Sequence, residues 1–120
     1  MAIAMLLVAS GAVADAVSVK SVMRAWKGQN RVASALIGGK LPYDETAARA
    51  ILNAYIADGA DIAARLSGTT SQARDIKARF EELATDARSA MASTSSRDAF
   101  RLGYPKVAGN CRSCHDAYAN

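Results

Sequence analysis

The stretch Asp44-Glu45-Thr46-Ala47-Ala48-Arg49-Ala50-Ile51-Leu52-Asn53-Ala54-Tyr55-Ile56-Ala57-Asp58-Gly59-Ala60-Asp61-Ile62-Ala63-Ala64-Arg65-Leu66 decides the fold class. Ala48, Leu52, Tyr55, Ile56, Gly59, Ala63 and Leu66 follow one another mostly at steps of three and four, which places them on one face of a helix. Asp44 stands where an N-cap belongs, and Ser67-Gly68 follows the last apolar position as a stop. On the N-terminal side, Gly38-Gly39 and Pro42 close a first helical segment over about residues 16 to 37. On the C-terminal side, one of Thr69, Thr70 or Ser71 caps a third segment, with Ile76, Phe80, Leu83, Ala84, Ala87 and Met91 on its apolar face. The polar cluster Ser93-Thr94-Ser95-Ser96 opens a fourth segment. Gly103 and Pro105 interrupt it, and an interior Pro clashes with the carbonyl of Arg101, so a kink or a split helix is expected there. No strand-period segment and no internal repeat competes. Short connections force antiparallel neighbours, so the expectation is an all-α, up-down-up-down four-helix bundle.

The composition agrees. Of 120 residues, 51% are hydrophobic and 22% charged, which excludes a disordered chain. Aromatics at 6%, two Pro and abundant Ala favour close-packed helices over a β-sandwich. Two Cys and one His then restrict the chemistry, and they stand together in Cys111-Arg112-Ser113-Cys114-His115. This is the attachment pattern of a c-type haem. Two thiols one helical turn apart each form a thioether to a vinyl group of one porphyrin, and the adjacent imidazole reaches the iron. A Cys-x-x-Cys redox pair belongs after a strand in a βαβ context, which this chain lacks. A zinc site needs ligands that no other Cys or His supplies.

Haem c is attached outside the bacterial cytoplasmic membrane, so an export signal is expected. Residues 1 to 14 are uncharged and apolar, and Ala12-Val13-Ala14 before Asp15 makes a small-x-small cleavage site. The basic n-region of a leader is missing, and the run is shorter than the roughly 20 residues a membrane span needs. The expectation is a periplasmic domain over residues 15 to 120, exported by its leader and with no span of its own.

Bundle topology also serves as a ruler for the sixth iron ligand. The start of the first helix, the end of the second, the start of the third and the end of the fourth share one end of the bundle, and His115 lies there. The chain offers Met1, Met5, Met23 and Met91 as thioether donors. Met91 stands about 30 Å along the third helix from that end. Met1 and Met5 fall in the leader, which leaves Met23, level with His115.

A Cys-x-x-Cys-His at the C-terminal end of a four-helix bundle resembles the class II c-type cytochromes, the cytochrome c′ group and its low-spin relatives. Gly39-Lys40-Leu41-Pro42-Tyr43-Asp44 is similar to the family's connection between its first two helices, and Cys114-His115-Asp116-Ala117-Tyr118 to its C-terminal end. The resemblance puts Met23 at the family's distal position. In the high-spin branch that residue only shields a five-coordinate iron that binds nitric oxide or carbon monoxide. In the low-spin branch a Met there ligates the iron and the protein carries single electrons. A thioether ligand raises the potential, which fits a carrier. The chain departs from the family at Pro105, where most members have Gly, in the short connection Ser67-Gly68-Thr69-Thr70, and at Ala119, where a basic residue is common. The loss of that basic residue weighs against the gas-binding branch.

The expected haem pocket comprises Val19, Met23, Trp26, Leu66, Ile76 and Phe80, with Arg65, Arg74 and Arg79 as propionate or partner contacts. With 15 Lys and Arg against 11 Asp and Glu, the chain carries +4. Lys20, Arg24, Lys27 and Arg31 fall within about 60° of one another on the first helix. This strip borders the core stripe of Val19, Met23, Trp26, Ala33 and Ile37, as a docking face for an acidic redox partner would. By family analogy a homodimer would use the first two helices, the small residues Ala47, Ala50 and Ala54 allowing close approach. No nucleic-acid site and no catalytic constellation is indicated.

Overall fold

The helix boundaries are set by local chemistry that the side chains make visible. In the computed structural model the chain forms α1 (Ala2–Gly38), α2 (Glu45–Arg65), α3 (Ser71–Ala90) and α4 (Arg97–Tyr118), with a 3-10 turn at Met91–Ser93 between the last two. The structure describes residues 2–118, with side chains from Lys20 onward. Residues 2–14 of the expected leader belong to α1, which begins well before the expected residue 16; Met1 and the side chain of Val19 lie outside what is described. No strand occurs among the described residues, and no helix there is long and apolar enough to cross a membrane.

Gly39 ends α1 with φ of +81°, a left-handed conformation that suits a residue without a Cβ, and Leu41 N–H reaches back to the Ala35 carbonyl at 3.2 Å. Asp44 caps α2 by accepting from Ala47 N–H at 3.3 Å. Of the three candidates for the α3 cap, Thr70 takes the role, accepting from Ala73 N–H at 3.1 Å. Ser96 does the same for α4, accepting from Ala99 N–H at 3.1 Å.

Each helix turns its apolar stripe into one core. Ala48, Leu52, Tyr55, Gly59 and Ala63 of α2 are buried as their spacing predicts, and Ile51 and Ile62 complete the face, while Ile56 and Leu66 are half-buried at its margin. On α3, Phe80, Leu83, Ala84 and Ala87 are buried and Ile76 and Met91 half-buried. On α1, Trp26, Ala33 and Leu36 are buried, with Met23 and Ile37 packed against the cluster. The glycine Gly59 lies where α2 crosses α3, since a Cβ on it would meet the Phe80 carbonyl at 3.2 Å.

Of the kink or split expected in the fourth helix, the split is corrected. α4 is continuous through Pro105. Phe100, Tyr104 and Val107 are buried on either side of the proline, whose own ring is exposed, so core packing holds the helix through the lost hydrogen bond. Gly103 is not a breaker either. A Cβ there would stand 2.4 Å from the Ser93 Cβ, so the glycine admits the turn that precedes α4.

Side chains tie distant segments together around this turn. Arg97 donates to the Leu36 carbonyl at 3.0 Å and the Leu41 carbonyl at 3.2 Å, and Arg101 to the Ile37 carbonyl at 3.1 Å. Carbonyls at the C-terminal end of α1 thereby gain charged donors. Arg49 donates to the Met91 carbonyl and to Thr94 Oγ1, both at 3.2 Å, and the Tyr43 hydroxyl donates to the Thr94 carbonyl.

Candidate functional site

The last two turns of α4 carry Cys111, Cys114 and His115. Spacings of three and four residues put all three on one side of the helix. Both thiols are free and half-buried, and the imidazole is exposed. They open onto a cavity of about 590 Å³, within the roughly 300–1,000 Å³ typical of cofactor sites. Met23 and Trp26 of α1 and Arg79, Phe80 and Leu83 of α3 line the same cavity. Residues 23 and 115, separated by most of the chain, therefore meet at one site.

Burial pushes the Cys111 thiol up, and the neighbouring Cys114 adds to this. Cys114 is also raised by burial, against the pull of the Arg79 guanidinium. Both sulfurs therefore hold their protons at neutral pH and act as thiols.

Two clusters of polar contacts hold the motif against α3. Arg79 donates to Asp75 at 2.8 Å and to Ser113 Oγ at 2.9 Å, and its guanidinium lies 5.6 Å over the Tyr118 ring. The Tyr118 hydroxyl donates to Asp75 as well. Hydrogen bonds from Arg79 and then Tyr118 keep the Asp75 carboxyl below the usual carboxylate range, and the same pairing raises Arg79. Immediately before the motif, Asn110 donates to the buried Asp86 at 2.8 Å, and Lys106, one turn earlier, stands 3.6 Å from the other carboxylate oxygen.

A third polar chain runs from the cavity into the core. The Tyr104 hydroxyl donates to Asn30 Oδ1 at 2.8 Å, and Asn30 lines the cavity. Tyr104 has thereby used its proton, so the Tyr55 hydroxyl, 2.8 Å away, is the donor to Tyr104. Burial raises both phenols, Tyr55 to about 12 and Tyr104 further. Trp26 packs edge-on to Tyr55, and its buried Nε1 finds no hydrogen-bond partner.

Of the expected pocket residues, Met23, Trp26, Phe80, Cys111, Cys114 and His115 line the cavity together. Leu66 and Ile76 do not line it; both pack against the core cluster. Arg79 is the one expected propionate contact in the lining. Arg74 stays exposed elsewhere, and Arg65 pairs with Asp61 on its own helix. Arg24, Lys27 and Arg112 are the other cations in the lining. Arg24 and Lys27 flank Met23 and Trp26 in sequence, so the strip read as bordering the core reaches the cavity itself. Leu83, Ala108 and Asn110 also line it unanticipated. Leu83 and Ala108 were within reach of periodicity, one turn after Phe80 and one turn before Cys111. Met91 is absent from the lining, as the ruler of helix length requires.

Among the described residues no group of three or more His, Cys, Asp or Glu is placed to hold a bare metal ion. No family model, curated protein or solved structure matches the chain.

Proposed function

We propose that this protein is a periplasmic c-type cytochrome of the class II, low-spin kind, carrying single electrons on one covalently bound haem. In this reading the bundle runs up, down, up, down, with the haem at the end formed by the start of α1 and the end of α4. The observation that carries it is the meeting of Met23 with Cys111, Cys114 and His115 around one cavity. The contacts of Arg97 and Arg101 with the far end of α1 support antiparallel α1 and α4.

The residues present fit a haem. Two thiols and an imidazole on one side of α4 match the attachment chemistry. Phe80, Leu83 and Trp26 give apolar walls, and the orphaned Trp26 Nε1 leaves a donor still to be satisfied. Arg24, Lys27, Arg79 and Arg112 supply cations for two propionates.

The haem, when bound, supplies the one-electron couple. Cys111 and Cys114 would hold it through two thioethers, each made by adding the thiol S–H across a vinyl double bond with no atom lost. His115 and the Met23 thioether would hold the iron, a donor pair that would favour the ferrous state and raise the potential. Asp75, Arg79 and Ser113 hold the motif to α3, so that the ligand-bearing helix shifts little when charge changes. The second reading, a five-coordinate gas-binding haem shielded by Met23, draws on the packing of Met23 against the core cluster.

Co-expression with a c-type haem maturation system tests the haem assignment. Intact mass and a haem stain on a denaturing gel should show one haem held covalently, lost in the Cys111→Ala, Cys114→Ala double variant. Purification of unmodified polypeptide from a host that matures a control cytochrome c would reject the assignment.

A further inference from the structure

The cavity has fourteen lining residues, of which Arg24, Lys27, Arg79 and Arg112 are cationic and none is Asp or Glu. These four come from three helices. Lys20 and Arg31 continue the array along the exposed face of α1 without lining the cavity. Arg79 is paired with Asp75, but Lys20, Arg24, Lys27, Arg31 and Arg112 make no ion pair or side-chain hydrogen bond among the described residues. Elsewhere Arg65 pairs with Asp61, Arg101 with Asp98 and Lys106 with Asp86; Lys40, Arg74, Lys77 and Arg88 also stand without an ion pair among the described residues, but none of them lines this cavity. Leaving like charges together and unpaired on one face opposes folding slightly, and a partner of opposite sign would relieve it.

Two haem propionates would neutralise part of the rim. They leave Lys20 and Arg31 unexplained, because neither reaches the cavity. Lys20 and Arg31 are about 16 Å apart along the helix. A transient electron-transfer contact covers roughly 600 Å² or less per partner, a patch about 25 Å across, so α1 and the cavity mouth together match its size.

We propose that the cationic rim formed by α1, Arg79 and Arg112 is the docking surface for an acidic protein that exchanges electrons through the mouth of this cavity. The inference rests on the cytochrome reading above. A protein partner suits the placement better than an anionic lipid surface: the charges ring the mouth of the cavity that Cys111, Cys114 and His115 line, and a membrane laid there would cover it. Electrostatic attraction then orients the encounter, raising association ten- to a thousandfold at low salt.

The test uses the haem-loaded protein and redox reagents of opposite charge. The reduced protein gives one electron to hexacyanoferrate(III), a trianion, or to tris(phenanthroline)cobalt(III), a trication, each becoming its divalent-metal form. Stopped-flow rates are read as ionic strength rises from about 0.01 to 0.5 M, where the screening length falls from roughly 30 Å to a few ångströms. The trianion should slow at least tenfold and the trication should speed up. The Lys20→Glu, Arg31→Glu double variant should lose about tenfold with the trianion at low salt, while Lys40→Glu, Arg88→Glu, an equal change of net charge at exposed sites off the rim, should lose much less.

As a readout independent of electron transfer, the redox-inert paramagnetic anion hexacyanochromate(III) should broaden amide NMR signals of residues 20–31 and 112 and spare α2. Equal losses in the two double variants, or broadening spread over the whole surface, would overturn the docking face while leaving the haem assignment intact. A chain without covalent haem overturns both. Binding to phosphatidylglycerol vesicles that blocks the reaction with hexacyanoferrate(III) would assign the face to lipid instead and overturn the proposal of a protein partner.

Discussion

The hydroxyl chain Tyr55–Tyr104–Asn30 makes an asymmetric prediction about stability. Tyr104 is 3% exposed and Tyr55 fully buried. Replacing Tyr104 by Phe removes two hydrogen bonds and leaves the Tyr55 hydroxyl buried with no acceptor. Two net bonds at about 0.5–1 kcal/mol each, with about 1 kcal/mol for the stranded donor, give a loss of about 2–3 kcal/mol. Replacing Tyr55 by Phe removes one bond and leaves Tyr104 still donating to Asn30, a loss of about 1 kcal/mol. For a domain of this size each kcal/mol moves Tm by about 4 °C, so Tyr104→Phe should melt roughly 10 °C lower and Tyr55→Phe about 4 °C lower. The double variant strands no Tyr55 donor and should lose less than the sum of the singles, with a coupling on the order of 1 kcal/mol. Urea and thermal unfolding followed by circular dichroism measure all four proteins. A Tyr55→Phe loss equal to that of Tyr104→Phe, or strict additivity in the double variant, would refute the assigned donor directions.

Two further outcomes follow from the same core. Because burial raises the phenols of Tyr55 and Tyr104 above 10 and the thiols of Cys111 and Cys114 above 9, their neutral forms stabilise the fold. That contribution is complete below the unfolded values and declines as pH rises through the folded ones. Urea titrations of the apoprotein should therefore show stability falling from about pH 9 upward and continuing to fall towards 12. The Cys111→Ala, Cys114→Ala variant should hold its stability to about pH 10. Gly103→Ala should lower stability by about 1–3 kcal/mol despite the better helix propensity of Ala, since its Cβ collides with Ser93. Ser93→Gly should recover most of that loss in the double variant, measured by the same unfolding titrations.

The first three helices were legible because each carries both a stripe and a stop, and the fourth because the polar cluster of residues 93–96 opens it. Asp44, Gly39 and the Thr70 region act through hydrogen bonds and backbone conformations that depend on a few neighbouring residues, so local sequence suffices to place them. Met23, Cys111, Cys114 and His115 reach one cavity, as helix lengths and short connections require. What failed was finer than a helical turn. Leu66 and Ile76 lie near the right level of the bundle but face the core, and Arg24 and Lys27 reach a cavity that their neighbours on the helix wheel were expected to line alone. Facing depends on the rotation and lateral placement of packed helices, which periodicity fixes only to within a residue or so. The split expected at Gly103 and Pro105 misled for a different reason. Their local preferences oppose a helix, but buried Phe100, Tyr104 and Val107 outweigh the lost hydrogen bond, and the glycine answers a contact with Ser93 in the turn that precedes the helix.

The central claim, an electron carrier with His115 and Met23 as the two axial residues, is tested most directly by the absorption spectrum of the haem-loaded ferric protein at neutral pH, beside that of Met23→Ala. The account predicts a low-spin spectrum with a weak thioether-to-iron band at its red edge, and in the variant loss of that band with conversion to high spin. A high-spin spectrum in the unmutated protein, or a red-edge band that survives Met23→Ala, would contradict it.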